Sequence, residues 1–375
     1  MREAELRRLL MEEFLGFIED PRVERTRKHP LETILVLSLL AVLSGADTFV
    51  EIEHYGEAKK EWLSTFLDLS NGVPSHDTVG RVFALLSTTQ LTQAFQRWTE
   101  VMATTSRGKL IAIDGKTLRR SFKQAGEHAF VHMVSAWSQA NQVVLGQVKV
   151  DDKSNEITAI PALLDMLDVR NALVTIDAAG TQTDIAAKIV DKGGDYLLAL
   201  KANQPTLHAS VTTYFDERCE GRILDTHTTH EKAHGREETR RAWVSNTIVS
   251  IESEERWAGL STVIRVESTR VLKGAKSTET RHYISSRKLT AEQALHAVRS
   301  HWSIENGLHW VLDTAFREDE SRIRAGNAAA NFSALRSLAL SLLKQRKDVK
   351  VGIKIKRSKA GWDDAFLLQT IGINV

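Results

Sequence analysis

Three acidic side chains, Asp114, Asp177 and Glu305, stand where carboxylates can be gathered for chemistry. Asp114 closes the apolar run Leu110-Ile111-Ala112-Ile113 and opens the basic stretch Gly115-Lys116-Thr117-Leu118-Arg119-Arg120. Asp177 ends a second apolar run, Leu173-Val174-Thr175-Ile176, and Glu305 falls between Trp302 and Trp310. Two carboxylates at strand ends, joined by a third from a helix, suit a pair of hard divalent cations, Mg²⁺ or Mn²⁺. Two such ions about 4 Å apart can activate a nucleophile and stabilise the leaving oxygen of an in-line displacement at phosphorus. Asp114 is expected to bridge them, with Asp177 and Glu305 each completing one coordination shell. Asp313, Glu318, Asp319 and Glu320 follow closely and are alternatives for the third place. Glu305 is preferred because it lies mid-helix among apolar residues, where an unpaired carboxylate is costly.

The elements that hold these residues follow from hydrophobic periodicity. Residues 1 to about 105 read as all-helical. Pro30 suits the first turn of a helix through Leu35, Leu39 and Val42, which Gly45 and Asp47 end. A second helix covers 49–67. After the turn Asn71-Gly72-Val73-Pro74, Ser75 or Asp77 caps a third through Val79, Val82, Phe83 and Leu86. That succession fits a helix-turn-helix and plain bundle packing equally.

From Lys109 the period shortens to two. Strands are expected at 110–114, 131–137 and 142–150, then a helix over 158–167 in which Pro161 is tolerable only in the first turn. A strand ending at Asp177, a helix over 183–192 and a strand over 196–200 follow. This order is that of an RNase H-like α/β core, a mixed sheet flanked by helices. In that fold the first and fourth strands carry adjacent carboxylates, the places of Asp114 and Asp177. Glu305 comes 128 positions after Asp177. Much of the interval, about 222–287, reads as a β-rich insertion. A closing helix then starts near Thr290, with Ala291, Ala294, Leu295 and Val298 on its apolar face. The chain thus divides into a helical N-terminal domain, 1–105, and a catalytic domain, 106–375.

Of the 375 residues, 42% are hydrophobic and 26% charged, which excludes a disordered chain. The net charge of +2 hides local bias. Residues 107–123 hold six basic residues against one acid, and 344–359 hold eight against one, which favours a polyanionic partner. The second segment reads as too basic for core. Cys219 is the only cysteine, so no internal disulfide forms, and a reducing cytoplasm is expected. The N-terminus lacks the pattern of a signal peptide, and the longest apolar stretch, 34–46, is too short to span a bilayer. His230-Glu231-Lys232-Ala233-His234 matches the zinc-protease pattern H-E-x-x-H, but its threonine-rich flank and Gly235 leave no helix to aim both imidazoles. We read it as an exposed basic hairpin containing His234, Arg236, Arg240 and Arg241.

The motifs I-D-G-K-T-L-R-R-S, V-T-I-D-A, A-L-K-A-N-Q, H-G-R-x-E-x-R-R, H-W-S-I-E-N-x-L-H-W-V-L-D and R-I-R-A-G-N-A-A-A-N occur in this order over nearly the whole chain. Together they resemble the DDE transposases of bacterial insertion sequences, most nearly the H-repeat-associated group. The resemblance implies a two-metal DNA nuclease and strand transferase that acts on the terminal inverted repeats of its own element and on target DNA. A homodimer on paired double-stranded DNA, in the cytoplasm and associated with the nucleoid, is expected with it. A domesticated nuclease without strand transfer, or a non-catalytic DNA-binding regulator, are the alternatives. The DNA-binding set is expected to be Lys116, Arg119 and Arg120 beside the scissile bond, Lys201, His234, Arg236, Arg299, Arg322 and Arg324, with Trp302 stacking on an unpaired base or packing in the core. The basic tail, through Lys354, Lys356, Arg357 and Lys359, is expected to meet the DNA backbone, and the N-terminal DNA-binding or associated domain, through its helices around Ser75 to Arg81, to supply the sequence preference. Related transposases often place a basic residue seven positions after the glutamate; here that position is Leu312.

Overall fold

The apolar run after Pro30 has no polar face, so its helix is stable only when buried all round. The computed structural model describes residues 18–102, 110–121, 130–150, 155–218, 224–233, 236–248, 251–252 and 254–372. In it, α1 (Leu31–Leu43) is the centre of a helical layer, with every residue from Ile34 to Leu43 at most 1% exposed. Gly45, at positive φ, turns the chain out of it. Around it lie α2 (Phe49–Ala58), started by a Thr48–Glu51 capping box, α3 (Lys60–Leu63), α4 (His76–Leu85) and α5 (Thr88–Met102). Ser75 caps α4 by accepting from the Thr78 N–H, and Val79, Val82 and Phe83 face inward. Among the described residues no helix is long and apolar enough to cross a membrane.

The sheet begins with β1 (Leu110–Leu118), β2 (Val131–Ser138) and β3 (Val143–Lys149), paired antiparallel in turn. The crossover helix α6 (Glu156–Met166) leads to β4 (Leu173–Ile176), parallel to β1; α7 (Thr183–Asp191) leads to β5 (Asp195–Leu200), parallel to β4. Because α6 starts two residues earlier than its sequence suggests, Pro161 sits in the second turn rather than the first. After α8 (Pro205–Arg218) come β6 (Asp225–Ala233), β7 (Arg236–Ser245), β8 (Thr262–Leu272) and β9 (Ala275–Ser285). These four strands do not form a separate module. Since β9 pairs antiparallel with β5, they extend one nine-stranded sheet, ordered β3-β2-β1-β4-β5-β9-β8-β7-β6.

Pleating sends alternate side chains to opposite layers. Ile111 and Ile113 enter the core beneath α6, α7 and α8, while Ala112 joins the core of the helical layer. The chain returns to that side through α9 (Ala291–His301), a π-helical turn at Glu305–His309, and α10 (Trp310–Ala315). A Thr290–Gln293 capping box starts α9, and Ala291, Ala294, Leu295 and Val298 are buried as their spacing predicts. Then α11 (Ala328–Gln345), α12 (Ile353–Trp362) and α13 (Asp364–Thr370) complete the helical layer. The N-terminal helices therefore share one core with α11, α13 and the β1–β3 face, where Phe332, Leu335, Trp137 and Val144 meet Leu37, Leu40 and Phe83.

The basic tail corrects the expectation of a solvated DNA-contact segment. Lys356 and Arg357 are buried. Lys356 donates to the carbonyls of Leu343 and Arg346, and Arg357 donates to those of Val42, Ala46 and Ala315 and to the Asp47 carboxylate. The last carbonyls of a helix have no intrahelical donor, and long cationic side chains supply one here. Lys354 is exposed and Lys359 half-buried. Arg357→Met should cost about 3–5 kcal/mol, because Asp47 loses its buried partner, whereas Lys354→Ala should stay within about 0.5 kcal/mol. Urea unfolding of the two variants checks the contrast.

Candidate active site

Asp114 and Asp177 are brought together by strand register. Ile113 pairs with Ile176 across the parallel β1–β4 step, so the residue after each emerges beside the other. Adjacent strands lie about 4.8 Å apart. Both aspartates also have the parity of Ala112 and Thr175, which places them on the face toward α9 and the π turn. Asp114 Oδ1 accepts from the Gly115 N–H at 2.9 Å, and Asp177 Oδ1 accepts from Ala179 and Gly180 at 3.1 and 3.3 Å. Burial pushes the Asp114 carboxyl up to about 6; the charge of Asp177 adds to this, while His309 and the Gly115 N–H oppose it. Glycine beside it leaves room for the Glu156–His132 pair: a Cβ on Gly115 would stand 2.1 Å from Glu156 Oε1 and 2.5 Å from His132 Nε2, so those side-chain ends would have to move.

Glu305 arrives on the segment between α9 and α10. Ile304, Leu308 and Leu312 bury one side of this segment in the core of the helical layer. Gly307 permits close approach, since a Cβ there would stand 3.1 Å from Trp137 Cζ2. The side chain of Glu305 is 54% exposed rather than buried as expected, so its charge is not costly there and its place depends on geometry instead. His309 Nδ1 lies 3.0 Å from Glu305 Oε2 and 3.7 Å from Asp114 Oδ2, and this contact holds the Glu305 carboxyl below its ordinary range. Ligand atoms of Asp114, Glu305 and His309 all fall within 4.8 Å of one another. Asp177 is outside that trio but lines the same cavity, of about 290 Å³, with Asp114, Glu305, Lys201, His301 and Trp302. Three carboxylates and one imidazole form an oxygen-rich donor set, and Asp114 is desolvated near a second carboxylate, Asp177. Both features fit a divalent ion.

The remaining expected residues divide. Lys116 does not face a substrate. Its ammonium is bonded to Asp313 Oδ1 at 2.5 Å and Glu318 Oε2 at 2.8 Å, and it approaches the carbonyl of His309 at 3.4 Å. Burial opposes its charge, but Glu318 and Asp313 together hold its pKa above the usual lysine value. The expected phosphate clamp is thus a strut between β1 and α10. It also occupies Asp313 and Glu318, two rivals for the third acid. Leu312 is fully buried, so that position cannot reach a phosphate. Arg119 is exposed and lies 3.3 Å from Asp319; Arg120 and Arg322 are exposed, and Arg324 Nε donates to the Arg120 carbonyl. Lys201 is exposed at the cavity. Arg299 pairs with Glu231 and Arg236 with Glu238. His234, with Arg107, Lys109 and Lys123, lies outside the described residues. His230 lies on β6, a strand, so the H-E-x-x-H segment lacks the helix that zinc binding needs. Trp302 is 47% exposed, with the Arg281 guanidinium 5.1 Å from its ring, and Trp310 is also exposed, so neither is core. Sequence reasoning missed His309, although its spacing four residues after Glu305 was a usable signal.

A family model described as "Transposase DDE domain" matches residues 105–342, and one described as "DDE_Tnp_1-associated" matches 12–99. The chain belongs to the DDE transposase family. Among relatives, YncI of Escherichia coli O157:H7, named as a transposase, is 43% identical over 96% of this chain and 93% of its own. The H repeat-associated protein YhhI of E. coli K12 is 39% identical over 98% of each. A solved piggyBac transposase synaptic complex with hairpin DNA matches over 99% of this chain and 82% of its own at 8% identity, with a TM-score of 0.44. The insertion-sequence type inferred from the motifs is thereby shown. Within this transposase, Lys116→Met should destabilise by about 3–5 kcal/mol by stranding Glu318. Adding Glu318→Gln should recover part of that loss, which a double-mutant cycle of urea unfolding measures.

Proposed function

We propose that this protein is a metal-dependent DNA transposase that binds the terminal inverted repeats of its element, cleaves at the ends and joins them to target DNA. The observation that carries the reading is the convergence of Asp114, Asp177 and Glu305 on one cavity, in a chain of the DDE family. The strands β3-β2-β1-β4-β5, with β1, β4 and β5 parallel, support an RNase H-like core as its frame. Asp114, Asp177 and Glu305 would hold Mg²⁺ or Mn²⁺. When bound, such ions activate the nucleophile and stabilise the leaving oxygen at phosphorus. Lys201 stands at the cavity mouth, where a cation can meet the strand being cut. Arg119, Arg120 and Arg322 are exposed and suit backbone contacts that position DNA without reading sequence. Trp302 offers an exposed ring face on which a base can stack. Two ends must be held at once, so the working form is a homodimer on DNA.

Asp114→Asn removes one charge with little change of shape. It should abolish Mg²⁺-dependent nicking of the element's own repeats, by at least about a thousandfold given what positioned ions contribute. Repeat binding should be largely retained. Gel shifts and nicking assays run in parallel decide this. Undiminished nicking by the variant would place the nuclease elsewhere. Cleavage by the wild type with no joined product would leave a nuclease without strand transfer, and binding with neither would leave a regulator.

A further inference from the structure

We propose that His309 is itself a metal ligand, through Nδ1, and that it tilts the site toward first-row transition ions such as Mn²⁺ over Mg²⁺. The inference rests on the function proposed above and assigns that site a fourth donor and a metal preference. Among the described residues, Asp114, Glu305 and His309 are the one set of three or more acidic, histidine or cysteine side chains close enough to share an ion. His309 is only 4% exposed, and Nδ1 faces both carboxylates, at 3.0 and 3.7 Å. Its Nε2 is buried without a partner, so the ring's polar contacts are with those two acids. A side chain that served only as packing would not need its polar edge in the acid cluster.

The backbone supports the same reading. Glu305 and His309 are the two ends of a single π-helical turn, a distortion that recurs at functional sites. The turn is seated by Gly307 against Trp137 and by buried Leu308, and Lys116 reaches its last carbonyl. Both donors are therefore carried on one braced segment. Nδ1 donates its N–H to the Glu305 carboxylate, and moving that proton to Nε2 or releasing it to solvent frees the Nδ1 lone pair for a cation in the same place. Mg²⁺ bonds oxygen in strong preference to nitrogen, whereas first-row transition ions accept imidazole. An imidazole at this point should thus raise Mn²⁺ affinity much more than Mg²⁺ affinity.

The test uses the full-length protein loaded with less than one equivalent of Mn²⁺ and read by pulsed electron paramagnetic resonance. Wild type should show ¹⁴N modulation from a directly bound imidazole, and His309→Gln should lose it. Titration should show Mn²⁺ affinity falling roughly 10- to 100-fold in the variant, and Mg²⁺ affinity by less than about threefold. The metal-free melting temperature of the variant checks its folding, while the wild-type spectrum needs no variant at all. Bound Mn²⁺ without ¹⁴N modulation, or modulation kept in His309→Gln, overturns the assignment. If Asp114→Asn still abolishes ion binding in that case, the acidic site stands and only His309 is excluded. A wild type that takes up no Mn²⁺, or an Asp114→Asn variant that binds like wild type, overturns both.

Discussion

Gathering like charges is the constraint on which the rest of this structure depends. Two carboxylates about 5 Å apart repel by about 3 kcal/mol at the effective dielectric of a partly buried site. Nothing local draws Asp114 and Asp177 together, so strand pairing has to hold them. The parallel register of β1 and β4 does this by fixing Ile113 against Ile176. Backbone N–H groups of Gly115, Ala179 and Gly180 take up part of the negative charge. Lys116, the nearest cation in sequence, is turned away to neutralise Asp313 and Glu318. That diversion leaves the acid pair without a lysine counter-ion from its own strand, while burial, helped by the charge of Asp177, raises the Asp114 pKa. A site in this condition gains most from a cation.

The strand and crossover elements were legible in the sequence because each is a local pattern. Period-two runs gave β1 to β5 within a few residues, and the aspartates follow directly from where two of those runs end. The features that were misread are those decided by partners far along the chain. Arg357 belongs to a charged run in sequence, yet its acceptors are Val42, Ala46 and Asp47, more than 300 positions away. Lys116 reads as a loop cation next to an acid, but its carboxylates come from 313 and 318. Glu305 reads as buried because its neighbours are apolar; the π turn instead puts Ile304 and Leu308 inside and leaves the glutamate at the cavity. Leu312 departs from the pattern of related transposases, and its burial supplies the reason: the position belongs to the core.

The long interval between the second and third acids also has a structural reason. Pairing of β5 with β9 places Ala199 opposite Tyr283 and Leu200 opposite His282. Residues 279–283 then form a wall of the cavity that Asp114 and Asp177 floor. Arg281 on that wall reaches the ring of Trp302, just before Glu305. The four added strands therefore shape the site and carry the chain to the start of α9. A shorter connection from β5 to α9 could deliver the glutamate, but it would leave the cavity open on that side.

The helical layer is tied to the cavity in a similar way. Val79, Val82 and Phe83 of α4 point into the shared core, and Asn331 of α11 donates to the carbonyls of Phe83 and Leu86 at its C-terminal end. What α4 leaves to solvent includes His76, Asp77 and Arg81. Helix α11 packs against α4 on one side and β3 on another, and the core it belongs to reaches Ala112, two residues before Asp114. A helix on a tether could sample many orientations relative to the acids. One embedded in the same core cannot, because close-packed interiors resist sliding of their elements. The exposed face of α4 is thus held at a spacing from the acidic cavity that packing fixes, so the distance between the two is a property of this core.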